Sequence, residues 1–466
     1  MTSHSSDYLI VGAGAMGMAF ADSLLTDSDA TMTIVDREAA PGGHWNHAYP
    51  FVTLHQPSAY YGVNSRELGS RQFAVGGLND GLEEMATGAE VSAYFRAVMD
   101  ETLLPSGRVQ YYPRHDYLGE GRVRSLRDGS EFRVDAPTHV DATWLKTTVP
   151  ATHTPNFTVA DSVRFMPLND LPTLSDTPDG YVVVGGGKTG IDACLWLLGE
   201  GVAPDRITWI VSRDAWLLNR RNAQPHPDFF HDTMANVAAQ FEAIAAAGSV
   251  EDMFDRLEAC GYFLRLDTDI RPTMFHGATI SEAELAEMRR LARIVRMGHV
   301  TEIQPDRILL QGGEIATTPG TVHVDCSASA IENLETCPIF EGNRITLQTV
   351  RSYQPAFSAA LIGYIEASRD NVAEKNRLCQ VVPLPNHDTD FVRFTSAFML
   401  NQYNWGQEED LRAWLKHSRL DGFTDQAQSA KGDPAREEVM NRIKVSSFAA
   451  AGKLQQFLAK MDQAAG

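Results

Sequence analysis

"YLIVGAGAMG", Tyr8–Gly17, is the stretch on which the fold turns. Tyr8 to Val11 is a short apolar run of the kind that forms a buried parallel strand. Gly12, Gly14 and Gly17 follow as G-x-G-x-x-G. The next residues, "AMGMAFADSLLTD", read as a helix with Met16, Phe20, Leu24 and Leu25 on a buried face. A second strand, "ATMTIVDRE", then reaches Asp36. Each portion has a task. Gly12 makes the tight turn, Gly14 lets backbone approach a pyrophosphate, and Gly17 lets helix and strand pack closely. The helix start offers free N–H groups to phosphate. Asp36, about 20 residues beyond the turn, is placed to accept hydrogen bonds from a ribose. The stretch therefore predicts a dinucleotide site.

The same device recurs at "YVVVGGGKTG", Tyr181–Gly190, with Gly185, Gly187 and Gly190 in the glycine positions. A helix follows, carrying Ile191, Cys194, Leu195 and Leu198, and then the strand "RITWIVSRD". Where the first unit has Asp36, this one is read as having Ser212 and Arg213. A carboxylate there would repel a 2′-phosphate, whereas a hydroxyl and a guanidinium bind it through charge-assisted hydrogen bonds. NADPH is thus expected here in preference to NADH. Lys188, beside Thr189 in the turn, either faces a phosphate or is an exposed helix residue. Arg220 and Arg221 either assist or sit at the surface. Two turns imply two nucleotides, one retained and one delivering hydride.

The bulk properties frame this expectation. A chain of 466 residues is long enough for two or three domains. A formal charge of −20 argues against nucleic acid and against an anionic membrane as partners. The cysteines Cys194, Cys260, Cys326, Cys337 and Cys379 include no C-x-x-C pair, which weakens a dithiol mechanism. No signal-like segment opens the chain, and no apolar run nears the roughly 20 residues that span a bilayer, so a cytoplasmic location is expected. "PHPDFFHD" and "NHDTD" hold histidines and aspartates without a metal-ligand spacing, and no metal is expected.

Beyond Asp36 the chain reads "DREAAPGGHWNHAYPFVTLHQPSAYYG". An acid followed by G-G-x-W resembles the flavin-containing monooxygenases, among the flavoproteins with two dinucleotide-binding domains. The resemblance extends over most of the chain to about residue 400. It implies FAD at the first turn, with Asp36, Arg37, Gly43, His44 and Trp45 along it. It also places Gln56 as a hydrogen-bonding neighbour of the flavin ring, and Val109 against the adenine through its backbone. His55 is either a proton carrier or a structural histidine. "THVDATW" is similar to the family's A-T-G segment but has Trp144 where glycine is usual. "FTVADSVRFMP" carries Val159 and Val163 where many members have glycine and histidine, which marks a divergent branch.

The expected fold is α/β, with two Rossmann-like, three-layer ββα dinucleotide-binding domains. The NADPH domain is inserted in the FAD domain, and a helical C-terminal region follows. The expected divisions are 1–150 for the first segment of the FAD domain and 151–320 for the NAD(P)H domain with a helical insertion. The second segment of the FAD domain takes 321–400 and the helical region 401–466. The implied function is NADPH-dependent oxygenation of a small organic substrate by dioxygen, through a C4a-(hydro)peroxyflavin. The alternatives are a dehydrogenase or oxidase without oxygen insertion, and a redox-sensing flavoprotein that binds a protein partner. Oligomeric state is open.

Overall fold

The computed structural model describes residues 2–329, 331 and 334–465. Both glycine units fold as expected. Tyr8–Val11 is the inner strand of a six-stranded sheet, and Met32–Asp36, all of it buried, lies beside it in parallel. The strands Val109–Pro113 and Thr138–Asp141 flank this pair, also in parallel, and a hairpin of Phe340–Glu341 and Arg344–Thr346 closes one edge. A second, all-parallel sheet has the order Arg164–Pro167, Thr321–Asp325, Gly180–Val184, Ile207–Ile210, Arg293–Val295.

Each sheet carries the other two layers of its unit. Helix Ala15–Asp27 packs on one face of the first sheet, with helix Pro355–Ser368 beside it. On the opposite face, Leu9 and Val35 meet Val123 and Val134 of a four-stranded sheet that also takes in Thr2–Ser5. In the second unit, Val182, Val184 and Ile210 pack against Val300, Ile303 and Ile308 of an equivalent small sheet. The other face is covered by helix Lys188–Gly199, through Ile191, Cys194 and Leu197.

The division at residue 321 is corrected. Thr321–Asp325 pairs with Gly180–Val184 inside the second sheet, so the chain returns to the first only after Asp325. The reason is symmetry: Thr138–Asp141 flanks the first glycine strand in the same way.

A third hydrophobic cluster joins three distant stretches. Phe241 and Ile244 of helix Asn236–Ala246, Phe391 and Phe394 of helix Asp390–Gln407, and Leu454 and Phe457 of helix Pro434–Ala465 pack together with Phe254, Phe263 and Trp216. The five cysteines are all free. No helix among the described residues is long and apolar enough to cross a membrane.

Candidate functional site

At the first turn, Gly12 has φ +105°, a conformation that disfavours any side chain. A Cβ on Gly17 would collide with the Gly12 carbonyl oxygen, so the helix sits as close to the turn as backbone allows. Gly14 is the N-cap of that helix, and no side chain caps it. The leading N–H groups remain available to a ligand. The Asp36 carboxylate accepts from the Ala13 N–H and, at 2.7 Å, from the Glu38 N–H. Burial raises its pKa, and these two donors pull against that shift.

The turn opens into a cavity of about 1550 Å³. Gly12, Gly14, Asp36, Arg37, Gly43 and His44 line it, as do His55 and Gln56 further in. Arg37 is tethered to Asp116 at 3.1 Å. Burial depresses the pKa of His44 to about 4. Burial, with the nearby Lys188 charge, depresses His55 to about 3. His55 is exposed to the open cavity and not enclosed in packed protein. The full depression therefore applies once a ligand displaces cavity water.

Two residues expected at the first nucleotide are elsewhere. Trp45 is turned into the packed layers, where its Nε1 donates to the Tyr61 hydroxyl at 2.8 Å, and it is not a cavity wall. Val109 opens its strand opposite Met32, whereas Asp36 pairs with Pro113 at the other end. Ligands gather at the carboxyl ends of such strands. The residues at the rim are accordingly His115, Asp116 and Tyr117, and not Val109.

The second turn repeats the geometry of the first. Gly185 has φ +135°, and a Cβ on Gly190 would strike the Gly185 carbonyl oxygen. Gly187 caps its helix without side-chain help, and a Cβ there would meet nothing within 4 Å. The surroundings differ. None of Gly185, Gly187, Lys188, Thr189, Gly190, Ser212 and Arg213 lines the large cavity. Lys188 does not face outward to a phosphate. It folds back onto the Asp192 carboxylate of its own helix, which also accepts from the Tyr49 hydroxyl at 2.7 Å. Arg220 is 1% exposed and pairs with Glu284 at 2.7 Å, so its role is internal. Arg221 pairs with Asp232.

The residue matching Asp36 also needs correction. Gly12 N–H donates to the Val35 carbonyl and Gly185 N–H to the Ile210 carbonyl. Val211 is therefore the counterpart of Asp36, with Ser212 and Arg213 one and two positions further on. The Val211 side chain lies against Gly186, where Asp36 meets Ala13 in the first turn. The Arg213 guanidinium donates to the Asn386 side-chain oxygen at 2.8 Å and to His387 Nδ1 at 3.3 Å. Neither partner is a carboxylate.

Further cavity walls are Thr143 of the A-T-G-like segment, Lys146 and Thr148 after it, Asn222, and Met234 and Phe241 of the helical insertion. Tyr353, Gln354 and Pro355 line it at the start of helix Pro355–Ser368.

No family model matches the chain. Among solved structures, it is similar to the flavin-containing monooxygenase of Stenotrophomonas maltophilia (16% identity, TM-score 0.42, covering 88% of this chain and 99% of that one). It is also similar to the cyclohexanone monooxygenase of Rhodococcus sp. Phi1 bound to NADP+ (12% identity, TM-score 0.47, 79% and 85%). A third is the bacillithiol disulfide reductase Bdr of Bacillus cereus (14%, 0.44, 79% and 100%). At such values the likeness carries nothing about chemistry. Two mycobacterial proteins, Rv2000 of Mycobacterium tuberculosis and Mb2023 of Mycobacterium bovis, are each 45% identical to it over 455 residues, spanning 97% of this chain and 84% of theirs. The chain belongs to the family that these mycobacterial proteins represent.

Proposed function

We propose that the chain is an NADPH-dependent FAD monooxygenase acting on a small organic substrate. The observation that carries this is one continuous cavity. It joins an uncapped helix start and a buried carboxylate, at Gly14 and Asp36, to Gln56, His55 and then an apolar wall. At about 1550 Å³ it exceeds the roughly 300–1,000 Å³ that holds one drug-sized ligand, so it has room for a cofactor and a second molecule.

The residues present fit FAD. Gly12, Gly14 and the first N–H groups of helix Ala15–Asp27 would hold its diphosphate and Asp36 its adenosine ribose, with Arg37 alongside. Gly43, His44 and Gln56 would follow it inward. NADPH would take the second turn, at Gly185 and Gly187, with Ser212 and Arg213 toward its 2′-phosphate. When bound, FAD accepts hydride and activates dioxygen. The chain positions the reactants and excludes water. His55, left neutral once a ligand excludes cavity water, would accept a proton there before it could give one.

A reading without oxygen insertion needs the same hydride transfer from NADPH to the flavin and differs only in the fate of the oxygen. A test on the FAD-loaded chain separates the two. NADPH consumption in labelled dioxygen should yield a product carrying one labelled oxygen per NADPH. Peroxide in equal amount, with no labelled product, would overturn oxygen insertion and leave an oxidase.

A further inference from the structure

The cavity has two halves of different chemistry. Around the first turn its walls include Asp36, Arg37, Glu38, Asp116 and Lys146. Among the described walls that the chain supplies from Leu218 onward in sequence, the one Lys, Arg, Asp or Glu is Arg351. That guanidinium is 7% exposed, bonded to Asp421 at 2.7 Å and stacked 4.5 Å over Phe357, so its charge is already answered. The one histidine there, His276, makes a hydrogen bond at 3.0 Å with the Asn386 side-chain oxygen, and burial lowers its pKa.

Three helices supply the apolar half, each with one face. Helix Asn236–Ala246 contributes Val237 and Phe241, and helix Asp390–Gln407 contributes Phe394 and Phe398. The C-terminal helix Pro434–Ala465 contributes Met440 and Ile443. Spacings of three or four residues put each pair on a single helix face. The insertion helix is entered through a π-turn at His231–Ala235, a distortion found often at functional sites. Val237, Phe398, Met440 and Ile443 are only partly buried. An apolar surface left open inside a protein marks a place for a ligand. Polar groups on these helix faces are few and uncharged, such as Gln240 and Gln402.

We propose that this half of the cavity takes an uncharged, bulky and largely apolar molecule, whose size is set by Phe241, Phe398 and Ile443. The proposal names the substrate class of the site described above and rests on that reading. Charge decides it. Moving an ionised group from water to a wall without a counter-ion costs several kcal/mol or more, which apolar contact does not recover. An uncharged apolar molecule gains about 25 cal/mol per Å² buried.

The test uses the full chain loaded with FAD and two dyes built on one skeleton. N-phenyl-1-naphthylamine is uncharged, and 1-anilinonaphthalene-8-sulfonate adds a sulfonate. Fluorescence titration should give saturable binding of the uncharged dye, tighter than the sulfonate by about tenfold or more. Phe241→Trp and Ile443→Trp, which add bulk to the wall, should each weaken it by about tenfold. Val445→Ser, at a side chain 66% exposed, should leave it unchanged. Equal affinity for the two dyes overturns the proposal. So does an unaltered dye affinity in both tryptophan variants when their flavin content and unfolding midpoint match the parent. If either variant fails to fold, the comparison of dyes on the parent chain decides. The flavin reading fails by a different result: protein that stays colourless and takes up no FAD.

Discussion

Val211 and Asp36 occupy the same place on two copies of one turn, and the proposed choice of nucleotide rests on the difference between them. Asp36 offers a carboxylate to a ribose. Val211 offers none, and Arg213 follows two positions on. Its neighbours are an amide oxygen and an imidazole nitrogen, so no carboxylate cancels its charge. Arg213→Ala should weaken NADPH by about 10- to 100-fold while leaving NADH nearly unchanged, because only the 2′-phosphate contact is lost. Titration of the two nucleotides checks this, and equal weakening would remove Arg213 from the phosphate. Motif spacing found both strand ends but missed the register by one residue, since pairing is settled by hydrogen bonds between Gly185 and Ile210 and not by counting along the chain. The same limit placed Val109 at the wrong end of its strand. His55 gives a prediction in pH. In the FAD-loaded chain, where ligand excludes cavity water, its pKa is depressed below the ordinary 6.5 toward about 3, so the unfolded chain binds more protons between those values. Stability therefore falls as pH drops from about 6.5 toward 3. His55→Gln should make that fall shallower, as read from unfolding midpoints across the window. An identical slope would mean that the ring is solvated in the fold.

Helices in this chain differ in whether they leave space for a side chain, and two glycines show it with opposite signs. Helix Pro355–Ser368 crosses helix Ala15–Asp27 at Gly363, where a Cβ would lie 2.9 Å from the Phe20 carbonyl oxygen and 3.1 Å from Ser23 Cβ. One partner is backbone and cannot step aside. Gly363→Val should cost about 1–3 kcal/mol by overpacking. Gly452, exposed on the C-terminal helix, has nothing within 4 Å of its missing Cβ. Gly452→Ala should stabilise by up to about 1 kcal/mol through helix propensity alone. Thermal unfolding of the two variants should move in opposite directions; a shift in the same direction would refute the packing assignment. The strand–turn–helix elements were legible because their pattern is local, with an apolar run, three glycines and a periodic face. The apolar cavity wall was not. Phe241, Phe398 and Ile443 come from helices that meet only in the folded chain, and each alone reads as an ordinary buried face.

Across the whole molecule, the two units meet at Asn79, which hydrogen-bonds both members of a buried ion pair, Arg220–Glu284, inside the second unit. Arg220 donates to Glu284 at 2.7 Å, to Asn79 Oδ1 at 2.5 Å and to the Thr279 carbonyl at 3.0 Å. Glu284 in turn accepts from Asn79 Nδ2 at 2.9 Å, so the segment preceding helix Gly88–Val98 is fixed to the second unit. Burial works to raise the Glu284 pKa, but the Arg220 charge and these bonds hold it below the usual carboxylate range. A carboxylate with a lowered pKa adds stability that is present above its unfolded value, about 4.3, and is lost as pH falls through the folded one. Glu284→Gln should cost about 3–5 kcal/mol at neutral pH, because it leaves the Arg220 charge buried without its counter-ion. Arg220→Met combined with Glu284→Leu should cost clearly less than Glu284→Gln, since an apolar pair of similar volume carries no desolvated charge. Denaturant unfolding of the three proteins measures the difference. If the double variant were the less stable, the pair would be contributing net attraction beyond its desolvation penalty.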